Sequence, residues 1–113
     1  MKVIHIDDEK IKFEDESTLS SDHYQDCCEH HYLDFSTLIL SDFEGLDFDL
    51  SGDKFFERVP DFGIRLVPVN GHPVSVPGYG SNNGYYSTDL RLVLKRPDGT
   101  REYNIDDCQV VDW

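Results

Sequence analysis

The strongest constraint on this chain is a hydrophobic period of two. Ile11 and Phe13 alternate with Lys10 and Lys12, and Leu90, Leu92 and Leu94 occupy every second position of a later run. Alternation of this kind lays apolar side chains along one face of a strand and leaves the other face to solvent. Between such runs stand turn-forming residues. Glu14-Asp15-Glu16-Ser17 leads from the first run into a return strand at Thr18–Ser21. Arg96-Pro97-Asp98-Gly99-Thr100 has Pro early and Gly late, as a turn prefers, and joins Leu90–Lys95 to Arg101–Ile105. Asn70-Gly71 sits between Gly63–Val69 and His72–Val76, and this dipeptide suits a two-residue type I′ turn. That turn would pair Val69 with His72, and Pro68 with Pro73 at a non-hydrogen-bonded position where neither proline is missed.

Three hairpins are therefore expected, with Phe13, Leu19, Ile64, Leu66, Leu92, Leu94 and Tyr103 buried between them. An isolated hairpin is marginal, so the three should share one sheet or a partly closed barrel. Helical signals are few. Ser36 is placed to cap a short helix over Ser36–Leu40, and Ser51-Gly52-Asp53 to start another over Lys54–Arg58 that Pro60 ends. Gly45–Leu50 reads as a short strand or a pinned loop, Asp22–His31 as extended or irregular, and Asp106–Val111 as a last short strand. The fold class expected is α+β, predominantly antiparallel β, with one or two short helices in a single domain over residues 1–113.

Seven Phe, six Tyr and one Trp in 113 residues carry too much buriable area for a disordered chain. No run approaches the ~18 apolar residues of a membrane-spanning helix. The first residues turn acidic at Asp7-Asp8-Glu9, before a signal-peptide core could form. Charge is lopsided: residues 1–61 carry 17 acids against 5 bases, and residues 62–113 carry 6 against 5. So negative a surface repels phosphate and argues against nucleic acid as a direct partner. It suits a partner protein with a basic surface, or it simply keeps a small domain soluble. The three cysteines, Cys27, Cys28 and Cys108, do not make a secreted disulfide framework. Neighbouring cysteines pair poorly, which leaves a bridge from Cys108 to either of them under oxidant and a reducing cytoplasm as the expected compartment.

Two segments carry chemistry-bearing side chains. Asp22-His23-Tyr24-Gln25-Asp26-Cys27-Cys28-Glu29-His30-His31 holds every residue type a divalent transition metal takes, in no recognised ligand spacing. If the stretch is extended, one ion could use His23, Cys27 and His31, or Asp26 and His30, but not all of them. The competing reading buries one cysteine (Cys28, which shares a face with Tyr32) and leaves Cys27 and the histidines in solvent. A thiol nucleophile is disfavoured because nearby carboxylates raise a thiol's pKa, so no catalytic residue is assigned. The second segment is Gly78-Tyr79-Gly80-Ser81-Asn82-Asn83-Gly84-Tyr85-Tyr86-Ser87. Its amides and Tyr79, Asn82, Asn83, Tyr85 and Tyr86 could hold a nucleobase or sugar, together with His23, Gln25, Asp26, Cys27 and Glu29 of the first segment. It lacks the Lys and the strand–loop–helix setting of a phosphate loop, and the favoured reading is a structural turn whose tyrosines pack on the core.

The run His23-Tyr24-Gln25-Asp26-Cys27-Cys28-Glu29-His30-His31-Tyr32 resembles an H-x-Q-D-C-C-E-x-x-Y signature found in small phage and bacterial proteins classed as a domain of unknown function. Ser81-Asn82-Asn83-Gly84-Tyr85-Tyr86-Ser87 is similar to their S-N-G-Y-Y-S segment, with one extra Asn, and Gly45–Gly52 to their middle region. The resemblance spans roughly residues 10–90, and Pro77-Gly78 stands where the group often has a Trp. It implies a phage, prophage or gut-bacterial source, a cytoplasmic location, and two motifs that lie together in space. It implies no activity. Two expectations of different class follow. One is a non-catalytic binding protein whose acidic surface engages a basic partner, with carboxylates standing where phosphates would sit. The other is a metal- or thiol-dependent site built from Asp22–His31 with the Gly78–Ser87 loop.

Overall fold

A computed structural model describes residues 1–22, 30–81 and 90–112. They form ten strands: β1 (Val3–Ile6), β2 (Lys10–Phe13), β3 (Thr18–Asp22), β4 (His30–Leu33), β5 (Phe56–Val59), β6 (Gly63–Leu66), β7 (Val74–Ser81), β8 (Arg91–Arg96), β9 (Gly99–Asn104) and β10 (Val110–Asp112). The strands make two sheets rather than the one expected, and neither closes into a barrel. The first, in the order β1-β2-β3-β8-β9, is antiparallel throughout. In the second, β7 is shared by three partners. Its first half pairs with β6, which pairs in turn with β5. Its second half pairs with β4 on one edge and, in parallel, with β10 on the other.

Two of the three expected hairpins stand as read. β2 and β3 pair with Ile11 opposite Leu19, and β8 and β9 turn over Pro97-Asp98 with Arg96 opposite Gly99. Gly99 has φ +148°, which explains why a residue without Cβ ends that turn. The Asn70-Gly71 hairpin is a correction. Leu66 pairs with Val74, so the connection runs over seven residues and its register is offset by one from a two-residue loop. Neither Asn70 nor Gly71 takes the positive φ that a type I′ turn needs. The Asn70 side chain is engaged elsewhere: Oδ1 accepts from the Asp47 amide (2.8 Å) and Nδ2 donates to the Gly45 carbonyl (2.9 Å).

Both expected α-helices are absent. At Ser36 a single turn forms, with the Asp34 carboxylate accepting the Ser36 amide (2.9 Å). The one helical piece among the described residues is a 3-10 turn at Leu40–Phe43. Residues 54–58 feed strand β5 instead, because Phe55 and Phe56 are needed in the core. Both rings pack edge-on against Tyr103 of β9, at centroid distances of 5.9 and 5.1 Å, and so bring the two sheets together. Phe13, Leu19, Ile64, Leu66, Leu92 and Leu94 are buried as expected, whereas Tyr103 is half-buried. The pinned loop at 45–50 adds Phe48 and Leu50 to the core, and Phe48 bridges Phe13 and Phe43. Among the described residues no helix is long and apolar enough to cross a membrane.

Candidate functional site

β4 is where the two sheets meet. On one edge it pairs with β7, and the Asp34 amide extends that pairing to the Pro77 carbonyl (2.8 Å). Toward the other sheet, the Leu33 amide donates to Ser21 Oγ of β3 (3.0 Å). This side-chain bridge spans a gap that the strands do not close. The result is a cleft of about 550 Å³ between the end of β3, β4 and the turn from β1 to β2. Its walls carry Ser20, Ser21, His31, Tyr32 and Leu33, and its charged groups are Asp8, Glu9, Asp22 and Lys10. Among the described residues three carboxylates thus line the cleft with the Lys10 ammonium, and one of the three, Asp22, is paired with Arg91.

The acids are held in place by local chemistry. Asp7 Oδ1 accepts the Glu9 and Lys10 amides (2.9 and 3.0 Å), which fixes the turn that presents Asp8 and Glu9. The Glu9 amide holds the Asp7 carboxyl below its usual pKa, and the Lys10 amide and the charge of Lys10 act in the same direction. Asp22 lies 3.5 Å from the Arg91 guanidinium, which also reaches Glu102 at 3.2 Å. Acids elsewhere in the first half are exposed mostly in turns, whereas Lys10 and Lys95 are exposed on strands. The negative surface is therefore built by the connections rather than by alternate strand positions.

His31 is buried and bound. Its Nδ1 lies 2.7 Å from Gln109 Oε1, and Gln109 Nε2 donates to the Asp106 carbonyl (2.8 Å). Because a carbonyl only accepts, the Gln109 amide nitrogen must face Asp106 and its oxygen must face the imidazole. His31 therefore carries a hydrogen on Nδ1. The contact passes over Gly80, where a Cβ would overlap Gln109 Oε1 and stand 2.5 Å from Nδ1. On the other face of the same strand pair, Tyr32 stands opposite Tyr79 in register, their rings 5.9 Å apart and both exposed.

Of the residues singled out from sequence, His31 and Tyr79 are thus placed, on opposite faces of the β4–β7 pair. His23, Gln25, Asp26, Cys27, Glu29, Asn82, Asn83, Tyr85 and Tyr86 lie outside the described residues, as does the contrast between Cys27 and Cys28. The ends of both segments are described, however. Asp22 pairs with Arg91 and His30 pairs with Ser81, so the described residues that flank 23–29 and 82–89 are strand partners of one another. Among the described residues no three His, Cys, Asp or Glu side chains are grouped to hold a metal. Cys108 is buried; desolvation, with the neighbouring Asp107 carboxylate, pushes its thiol up to about 11. The residues that sequence reasoning missed are Asp8, Glu9, Ser21 and Gln109, which reach the site only through the meeting of the sheets.

No family model, curated protein or solved structure matches the chain. What the site does is argued from its geometry.

Proposed function

We propose that this protein is a non-catalytic interaction module that engages a basic partner protein through its acidic surface. One observation carries the reading: the cleft between β3 and β4 gathers Asp8, Glu9 and Asp22 beside the exposed ring of Tyr32. Carboxylates beside an aromatic face suit a Lys or Arg side chain, which can pair with the acid and lie over the ring. The cleft volume of about 550 Å³ accommodates one or two such side chains. A protein surface that otherwise takes phosphates is a partner of this kind. The motif resemblance to phage and bacterial proteins suggests the cytoplasm as the setting.

The test uses a fluorescent hexa-arginine peptide and the full chain. Binding should weaken steeply from low to high salt, because exposed charges are screened over ~8–10 Å at ordinary ionic strength. The doubly reversed variant Asp8→Lys/Glu9→Lys should bind at least tenfold more weakly, with an unchanged fold, since both side chains are exposed. Equal affinity of the two proteins, or affinity indifferent to salt, would overturn the proposal.

A further inference from the structure

β1 is the end strand of its sheet, so one row of its backbone amides and carbonyls has no strand beside it among the described residues. The opposite edge is treated differently. At β9 the Arg58 guanidinium donates to the Asn104 carbonyl (2.9 Å), and Arg101 donates to the carbonyls of Leu50 and Ser51 (3.2 and 3.0 Å). Side chains and a loop thus lie against β9. At β1 the Leu40–Phe43 turn lies near Lys2 and Val3, and the two leave a cleft of about 450 Å³ between them.

That cleft is mainly apolar, walled by Val3, Leu40 and Phe43. Large aliphatic side chains adjoining these residues in sequence are exposed. Leu40 is 46 % exposed, Ile39 just before it 60 %, and Ile4 just after Val3 48 %. Ile4 is also the extra residue of a β-bulge, since Val3 pairs with Phe13 while His5 pairs with Lys12. The rim carries both signs, Glu44 and Lys2, and the acidic excess comes from the turn: Asp42 is exposed two residues before Glu44, whereas Asp47 is paired with the N-terminal ammonium.

A strand edge supplies sequence-tolerant main-chain pairing, and an adjoining pocket selects one side chain of the added strand. We infer that the free edge of β1 takes an extended segment of a partner protein. An apolar side chain of that segment seats between Val3, Leu40 and Phe43, and a neighbouring Lys or Arg faces Asp42 and Glu44. Four residues of β1, at about 3.4 Å each, set the length of the pairing. The surface is distinct from the β3–β4 cleft. The apolar cleft opens beside Lys2 and Val3, whereas Asp8 and Glu9 follow the other end of the strand.

The test titrates the isotope-labelled full chain with an acetylated Ala-Lys-Val-Leu-Val-Arg-Ala peptide, and with the same peptide N-methylated at alternate amides. The unmodified peptide should shift the amide resonances of Val3–Ile6 and slow their exchange. Leu40→Ser should weaken it at least tenfold and Asp42→Lys/Glu44→Lys at least fivefold. Asp8→Lys/Glu9→Lys should leave it within twofold, which separates this proposal from the preceding one. Each variant alters a half-exposed or exposed side chain, and its unperturbed spectrum elsewhere reports an intact fold. Three results would each overturn the inference. One is no shift at millimolar peptide. Another is equal binding of the N-methylated peptide. The third is β1 protection that rises with protein concentration alone and vanishes in Ile4→Lys, which would make a second copy the occupant.

Discussion

Gly80→Ala tests the buried contact on which the site is built. The added Cβ would overlap Gln109 Oε1 and crowd His31 Nδ1 at 2.5 Å, so the hydrogen bond between them cannot survive in place. Both partners are buried, His31 at 2 % and Gln109 at 3 % exposure, so no water replaces the lost bond. Leaving buried polar groups unsatisfied costs about 1–3 kcal/mol. Against this, Ala gains about 0.5–1 kcal/mol over Gly through the unfolded chain. The net loss is about 1–2 kcal/mol. With a urea m-value of about 1.5 kcal/mol/M, the midpoint should fall by roughly 1 M. Gln109→Ala removes the overlapped atom, so the double variant should be less unstable than the sum of the singles by about 1 kcal/mol. Ring nitrogen resonances of His31 in the unaltered protein should show hydrogen on Nδ1. A neutral ring carrying its hydrogen on Nε2 alone, or a Gly80→Ala variant as stable as the parent, would refute this reasoning.

Leu92 is fully buried between Ser21 and Tyr103, so Leu92→Ala should lower stability by about 2–5 kcal/mol in a denaturant titration; a loss below about 1 kcal/mol would mean that the site collapses around the smaller side chain. Native Cys108 should resist thiol reagents at pH 8, since its thiol is buried and pushed up to about 11, and labelling mass spectrometry reads this directly. The burial that raises the Asp15 pKa is outweighed by hydrogen bonds from Ser17 and by the charge of Arg96, leaving the carboxyl below its usual value. Its contribution to stability is therefore complete above the ordinary Asp pKa of 3.8 and is lost as pH falls through the lowered one, and Asp15→Asn should flatten that acid limb of a thermal-stability profile.

The strands that sequence revealed are those whose determinants are local. Ile11 and Phe13 face Leu19 across a four-residue turn, and Pro97-Asp98-Gly99 closes β8 on β9 with its own backbone preferences. Asn70-Gly71 misled because the Asn70 amide found partners at Gly45 and Asp47, more than twenty residues away. Helical signals at 54–58 yielded to the packing of Phe55 and Phe56 on Tyr103, a tertiary contact that overrides propensity. β10 was legible as a strand but not as a parallel one, since its partner Tyr79 lies 31 residues earlier. At the site, His31 and Tyr79 could be singled out by type. Gln109 could not, because nothing near it in sequence marks it as the partner of a histidine 78 positions away.

The position of β7 also fixes when this protein can fold during synthesis. Its neighbours come from residues 30–33, 63–66 and 110–112, so the second sheet stays incomplete until residue 112 has been made. The first sheet waits in the same way, because β3 needs β8, whose residues are made some seventy positions later. Until β7 is made, the described strands that can pair are the β1–β2–β3 meander and the β5–β6 hairpin, and their hydrophobic faces stay unmatched. The 17 acids of residues 1–61 are all present before β8 is made. Like charges repel, so this acidity opposes association of the uncovered strands with other copies.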